Sequence, residues 1–365
     1  MKKRILIISG IYPPDIGGPA TFVKELIEFI NSKKDEVRLI TLQDKKGLKA
    51  YEKNIIKIPR YQNKLIRTLN LIFTIRKNSK DVDSILCCGL IFETYLSQIG
   101  LNKRKIFRFV SDSIWDKYSS ETNDIYIRKN KYYFLNLLFF LRDKILKSFD
   151  LIITPSKYLK NYYLKKIGKS KVKIIRNFAS INVLNFNQSI NLNKDYQNKV
   201  NIVAISRLVK FKNIDYLIEA FKELPEYNLH IYGSGPEEKN YQLQIRKNKS
   251  KNIFLHGVKN RDEIFEALRK YDSFIQISSY EGMSFSILEA LALNKPLILS
   301  NIEPNFETAK TAAIYVKPKS ITQLRESIKL IKSAKMRYLL SQNSKKVSSK
   351  FYDKEKSLES YYSEL

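Results

Sequence analysis

Ser278-Ser-Tyr-Glu-Gly-Met-Ser-Phe-Ser-Ile-Leu-Glu-Ala290 decides the architecture, because a strand, a turn and a helix meet in it. The apolar run Ser273–Ile277 before it is strand-like. Gly282 lets the backbone approach a ligand closely. A helix beginning just after Gly282 carries Glu289, eight positions beyond Glu281, a little over two turns along, on a face continuing from Glu281. Two carboxylates then line one wall of a cleft. The free amides of Met283, Ser284 and Phe285 at the helix start suit a phosphate without metal, and a pyrophosphate fits such a site.

The same strand–helix alternation runs outward in both directions and predicts βαβ units on parallel sheets. In the first half, strands are expected at Arg4–Ile8, Val37–Leu42, Ile55–Ile58, Ser84–Cys88, Lys105–Phe109, Leu151–Thr154 and Val172–Ile175. Phe22, Val23, Leu26, Ile27 and Ile30 repeat at helical spacing after Gly18. The pattern lapses in an Asn-rich stretch and restarts, with strands at Asn201–Ser206, Asn228–Tyr232, Ile253–His256, Ser273–Ile277 and Pro296–Leu299. Helices are expected near 213–223, 237–249, 261–270, 284–293 and 320–333. A length of 365 residues accommodates two such domains. The expected division is an N-terminal Rossmann-like domain over 1–180, a linker over 181–199, a second Rossmann-like domain over 200–345, and a C-terminal helix over 346–365 packing back toward the first domain.

The formal net charge is +30, of which residues 1–190 carry +21 and residues 191–365 carry +9. That side of the molecule should attract a polyanion, although a lysine-rich composition explains the same numbers. The segment Asn130–Lys147, aromatic and aliphatic between Arg128, Lys129, Lys131, Arg142, Lys144 and Lys147, suits either an anionic lipid surface or an ordinary core helix. No run approaches the roughly 18 apolar residues of a membrane span. Cys87 and Cys88 are adjacent and cannot easily bridge each other, which implies a reducing compartment. A cytoplasmic chain, peripheral at the inner face of the membrane, is the expectation.

Glu281-x7-Glu289 followed by Ala290-Leu-Ala-Leu-Asn-Lys-Pro-Leu-Ile-Leu-Ser300 resembles the signature of retaining glycosyltransferases of the GT-B fold, glycosyltransferase family 4 (glycosyl transferases group 1). The resemblance implies an α/β chain of two doubly wound domains facing a central cleft. It also implies that Glu281 contacts the donor sugar and Glu289 the ribose. Ser206-Arg-Leu-Val-Lys-Phe-Lys-Asn213 resembles the family's Gly-Arg-Leu-x-x-x-Lys-Gly motif, which makes Arg207 and Lys212 the cations for the leaving diphosphate. Ser206 and Asn213 stand where that motif has glycine. Gly233-Ser-Gly-Pro236 matches the family's Gly-x-Gly-Pro turn near the nucleotide, so Gly233 and Gly235 join the donor site. Gly17 and Gly18, after the first strand, are expected near phosphates or acceptor.

Many relatives have a histidine where Ser111-Asp112 stands here, which leaves Asp112, with Trp115 and Asp116, as candidates for donor or acceptor or, for Asp112, as a helix cap. His230 and His256 are expected as packed or surface residues. No metal site and no cofactor are expected beyond the nucleotide-sugar itself. The implied reaction moves a sugar from a UDP- or GDP-linked donor to a glycan or lipid-linked glycan in cell-surface polysaccharide or glycolipid synthesis. A sugar-nucleotide epimerase or a phosphorylase of the same fold, and a catalytically silent polyanion-binding module, are the alternatives. Nucleic acid is not an expected partner, because the basic residues are dispersed.

Overall fold

A computed structural model of the chain describes residues 2–15, 17–44, 51–52, 54–110, 129–167, 171–179 and 199–365. Two compact units divide it, the first ending at Arg176 but regaining Lys354–Leu365, the second running from Asn177 to Asp353. The linker expected over 181–199 lies outside the described residues except for Lys199, and Asp112, Trp115 and Asp116 lie outside them too.

In chain order the first unit has β1 Arg4–Ser9, α1 Gly18–Ser32, β2 Glu36–Gln43, β3 Tyr51–Glu52, β4 Ile55–Pro59, α2 Lys64–Asn78 and β5 Ser84–Cys87. It continues with α3 Ile91–Ser97, β6 Arg104–Arg108, α4 Lys129–Lys147, β7 Leu151–Thr154, α5 Lys157–Ile167 and β8 Val172–Ile174. Its sheet has the order β3-β4-β2-β1-β5-β6-β7-β8 and is parallel except for the antiparallel pair β3–β4. Helices on both faces explain why β1 is a continuous apolar run, with Ile5, Leu6, Ile7 and Ile8 fully buried. The five residues expected on the inner face of α1 are all buried. Cys87 and Cys88 are both free thiols.

The second unit has β9 Val200–Ile205, α6 Ile214–Phe221, β10 Tyr227–Tyr232, α7 Glu238–Lys247, β11 Ile253–Leu255, α8 Arg261–Lys270 and β12 Ser273–Gln276. Then come α9 Phe285–Ala292, β13 Leu297–Ser300, α10 Glu303–Ala309, β14 Ala313–Val316, α11 Ile321–Leu330 and α12 Ala334–Phe351. Its sheet order is β11-β10-β9-β12-β13-β14, all parallel. In each sheet the strand order reverses beside the first strand of the unit, at β1 and at β9. Ligands in open α/β sheets collect at the carboxyl ends of the strands at such reversals.

Three elements are additional to those the periodicity predicts. β3 spans two residues, β14 is a short edge strand with its side chains largely half-buried, and α10 is a seven-residue helix opening on Pro304. Each is too short for a repeat to show. The terminal segment expected as one helix from 346 is two: α12 ends at Phe351, and α13, Lys354–Tyr362, packs within the first unit.

Its anchor is a buried cation. Arg108, 1% exposed, donates from Nε to Tyr361 Oη at 3.1 Å, and its guanidinium carbon lies 3.7 Å from the centroid of the Phe22 ring, which itself meets Tyr361 edge-on. Arg104 and Lys173 both bond Glu364, and Tyr362 Oη donates to Asp35 at 2.6 Å. Tyr361→Phe removes an oxygen from a buried guanidinium and is expected to cost about 2 kcal/mol, measured by urea unfolding.

Candidate donor site

The carboxyl end of β9 opens into Ser206–Val209, a short 3-10 turn at Lys210–Lys212, and then α6. Asn213 joins the last two in a left-handed conformation, φ 55°. That explains the departure from the family's glycine, since Asn tolerates this region. Its side chain also adds what glycine lacks: Asn213 Nδ2 donates to Ile277 O at 2.7 Å and to Ser279 Oγ at 2.9 Å. With Ser279 N donating to Phe211 O at 2.8 Å, the loop after β9 is stitched to the loop after β12.

This stitching brings Lys212 to Glu281. Lys212 Nζ donates to Glu281 Oε1 at 2.5 Å, and both side chains are largely buried. Gln276 Nε2 donates to the same oxygen at 2.5 Å, and Ser284 Oγ donates to Gln276 Oε1 at 3.1 Å. Glu281 Oε2 has no hydrogen-bond partner among the described residues. The carboxylate is thus held through one oxygen, with the other left to accept. Gln276 was missed from sequence, although a polar residue closing a fully buried strand was the available signal.

The helix after Glu281 matches the expected 284–293 to within a residue but opens two residues later than a start just after Gly282. Gly282, Met283 and Ser284 are non-helical and α9 starts at Phe285, with Ser284 extended at the N-cap. Glu289 is therefore barely a turn into the helix, and it has a different partner from Glu281: Arg261 Nη2 at 3.1 Å, from the first position of α8. Burial pushes the Glu289 carboxyl up to about 7, against the opposing pull of Arg261. The first amides of α9 point away from the helix body with no intrahelical acceptor. Beyond it, Asn294 is left-handed at φ 55° and ends the helix, while Lys295 Nζ donates to Arg269 O and Tyr271 O, capping α8.

Gly233 and Gly235 pack directly on the Ser206–Leu208 loop. A Cβ on Gly233 would lie 2.0 Å from Ser206 O, and one on Gly235 would lie 2.3 Å from Leu208 O. Leu208 N donates to Ser234 O and Glu237 N to Leu208 O. Arg207, on the loop so gripped, is exposed and has no carboxylate partner among the described residues. Lys212, Glu281, Gln276, Arg207 and the two glycines thus share the carboxyl edge at β9, β10 and β12.

His230 and His256 do more than pack. Asn201 Nδ2 donates to Lys199 O, so its Oδ1 accepts from Asn228 and from His230 Nε2. Burial holds His230 neutral, its value pushed down to about 3, which leaves its Nδ1 to accept from His256 Nε2 at 3.0 Å. The pair is a neutral relay ending at the edge beside Gly257, whose carbonyl accepts from Gly233 N.

Gly17 and Gly18 belong to the first unit. Gly17 caps α1 at φ 155°, and Pro19 follows at the helix start. An arginine missed from sequence braces this loop: Arg60 donates to Gly10 O at 2.7 Å and to Asp15 at 2.8 Å, and also pairs with Asp44. Arg142, in the segment that suits either a lipid surface or a core helix, is buried against Asp143 and the Phe139 ring, as the core reading has it.

Known proteins resemble this chain throughout. Residues 186–347 match the family model for glycosyl transferases group 1. An uncharacterised glycosyltransferase of Methanocaldococcus jannaschii is 23% identical, covering 99% of this chain and 97% of its own. Sucrose-phosphate synthase from Thermosynechococcus elongatus superposes with a TM-score of 0.82 at 15% identity, over 99% of this chain and 98% of that one. The Anabaena protein HepE, in complex with UDP and glucose, does so with a TM-score of 0.78 at 14% identity, over 99% and 98%. The chain has the two-sheet architecture of these proteins and a group 1 transferase domain across its second sheet; it is a glycosyltransferase of the GT-B fold.

Proposed function

We propose that the chain is a retaining, metal-independent transferase that takes a UDP- or GDP-linked sugar on its second unit. The acceptor is a glycan or lipid-linked glycan, met by the first unit through the Gly17–Gly18 loop, in cell-surface polysaccharide or glycolipid synthesis. The enzyme works in the cytoplasm at the inner face of the membrane.

The observation that carries this reading is the Lys212–Glu281–Gln276 constellation, which leaves one carboxylate oxygen unused at the strand edge. That oxygen accepts hydroxyls of the donor sugar. Lys212 and the exposed Arg207 face the charge that develops on the leaving diphosphate as the anomeric bond breaks, together with the free amides of α9. Glu281 is assigned no nucleophilic role here: the acceptor hydroxyl enters on the face the diphosphate leaves, handing its proton to a phosphate oxygen. Glu289 accepts the ribose hydroxyls through the oxygen that Arg261 does not use.

A thermal-shift panel of UDP- and GDP-sugars without added metal tests the reading. One nucleotide should raise the Tm, and Glu289→Gln should weaken its binding about tenfold, or about 1.4 kcal/mol. The ionised carboxylate is the better acceptor for a diol, so affinity should rise as pH passes upward through about 7, and Glu289→Gln should flatten that rise. The effect on folding has the opposite sign. A carboxyl raised from 4.5 to about 7 in the folded chain binds its proton more tightly there, so its contribution to stability is full below 4.5 and is lost as pH rises toward about 7. No response to any nucleotide from the folded protein would sink the proposal.

A further inference from the structure

Helix α2 turns an apolar stripe to solvent. Leu65 is 76% exposed, Ile66 60%, Leu69 56% and Phe73 70%, while Leu71 and Ile75 on the other side are fully buried. At 100° per residue the four exposed side chains fall within an arc of about 100°, centred about 150° from the buried pair. The stripe is therefore a second apolar face, additional to the one that packs on the sheet. It continues beyond α2. α3 packs against both α2 and α4, and Phe92, Ile99, Leu137 and Phe140 are exposed on or beside those helices. Scattered exposed apolar residues are ordinary, but a band of this extent on neighbouring helices marks an interaction surface.

Its charge identifies the occupant. From Arg60 to Lys80 the chain has six basic residues and no acidic one. Arg60 is paired with Asp15 and Asp44. Arg67 and Arg76 donate to backbone carbonyls only, and Lys64, Arg67, Arg76, Lys77 and Lys80 have no carboxylate within ion-pair distance among the described residues. A second copy docking symmetrically on this face would bring these cations against their own equivalents. Nucleic acid would answer the charge and leave the leucines and phenylalanine in contact with phosphates. An anionic bilayer satisfies both halves, taking apolar side chains below the headgroups and cations among them.

We propose that α2, through Leu65, Ile66, Leu69 and Phe73 with Lys64 and Lys77 at its flanks, is the surface by which the enzyme lies on anionic lipid. The helix starts five residues after the carboxyl end of β4, and Arg60 between them holds Gly10 O. The end of α2 is thus tied to the edge of the sheet bearing the Gly17–Gly18 loop. An acceptor whose lipid stays in the bilayer can present its sugar there. That last step rests on the acceptor reading above; the docking surface does not.

Co-sedimentation with phosphatidylcholine vesicles, with and without phosphatidylglycerol, tests it. The protein should pellet with the anionic vesicles and much less with phosphatidylcholine alone, and added salt should release it. Leu65→Gln, Leu69→Gln and Phe73→Gln together should weaken partitioning at least about tenfold, since glutamine keeps helix propensity and these sites are exposed. Lys64→Gln with Lys77→Gln should reduce the preference for phosphatidylglycerol. The Tm rise with nucleotide, unchanged in the triple variant, reports an intact fold. Failure of the wild type to pellet, or equal pelleting by the triple variant, overturns the proposal, as does a stripe-dependent dimer whose loss leaves vesicle binding intact. Vesicle binding without any nucleotide response would sink the donor reading and leave this surface standing.

Discussion

Replacing Lys212 by Met is expected to lower kcat about 10²- to 10³-fold, with a much smaller change in donor KM. The magnitude is that of removing one fixed group from a site that stabilises developing charge, roughly 3–4 kcal/mol of barrier. Lys212 sits against Glu281 Oε1 at 2.5 Å, where a diphosphate leaving from the sugar held by Oε2 would find its charge met at once. Removing the lysine also leaves Glu281 buried without its cation, and breaking such a pair destabilises the fold by itself. The two effects separate in a cycle. Lys212→Met combined with Glu281→Gln removes both charges and should recover much of the lost Tm, while activity stays low. If the double variant regained activity along with stability, or if Lys212→Met kept its kcat, the lysine would be a structural partner of Glu281 and nothing more. Initial rates of nucleoside diphosphate release, run beside thermal melts, decide it.

Gly233→Ala should destabilise the second unit by at least about 3 kcal/mol, a Tm lower by roughly 10 °C. The added Cβ would lie 2.0 Å from Ser206 O and 3.0 Å from its carbonyl carbon, at a φ of +126° that alanine rarely adopts. Neither strand of backbone can retreat. Ser206 N bonds Tyr232 O, Leu208 N bonds Ser234 O, and Gly233 N bonds Gly257 O, so moving the turn breaks bonds on both sides. Gly257→Ala is the control, because Gly257 also has positive φ, +67°, but meets nothing within 4 Å. It should cost about 1 kcal/mol, the conformational strain alone. Equal losses from both substitutions, by calorimetry, would mean that backbone strain and not the close approach of the two loops makes glycine necessary at 233.

These two sites differ in how they were legible. The glycines stand in a motif, and Lys212 and Glu281 each stand in one, but they are 69 positions apart and only folding makes them a pair. Gln276, Arg261 and Arg60 lie in no motif. Each acts through a partner brought near by the sheet: Gln276 by ending β12 beside Glu281, Arg261 by opening α8 against Glu289, Arg60 by leaving β4 next to Gly10. The exposed face of α2 was equally hidden, since spacing announces an apolar face but not which of two faces the sheet will cover.

The sequence by itself determined the alternation of apolar strands and amphipathic helices, hence two doubly wound parallel sheets, together with the loops that carry glycines and cations at their edges. That information is local: pleat and helix repeat every two or 3.6 residues, so a buried face prints its period on the chain. The tertiary structure decided which oxygen of Glu281 is occupied, why Asn213 replaces glycine, how His230 and His256 share their protons, and that the last helix packs on Arg108 of the first unit. Those outcomes depend on strand order, and strand order is set by which whole faces bury best together, a sum over residues far apart that no short window of sequence contains.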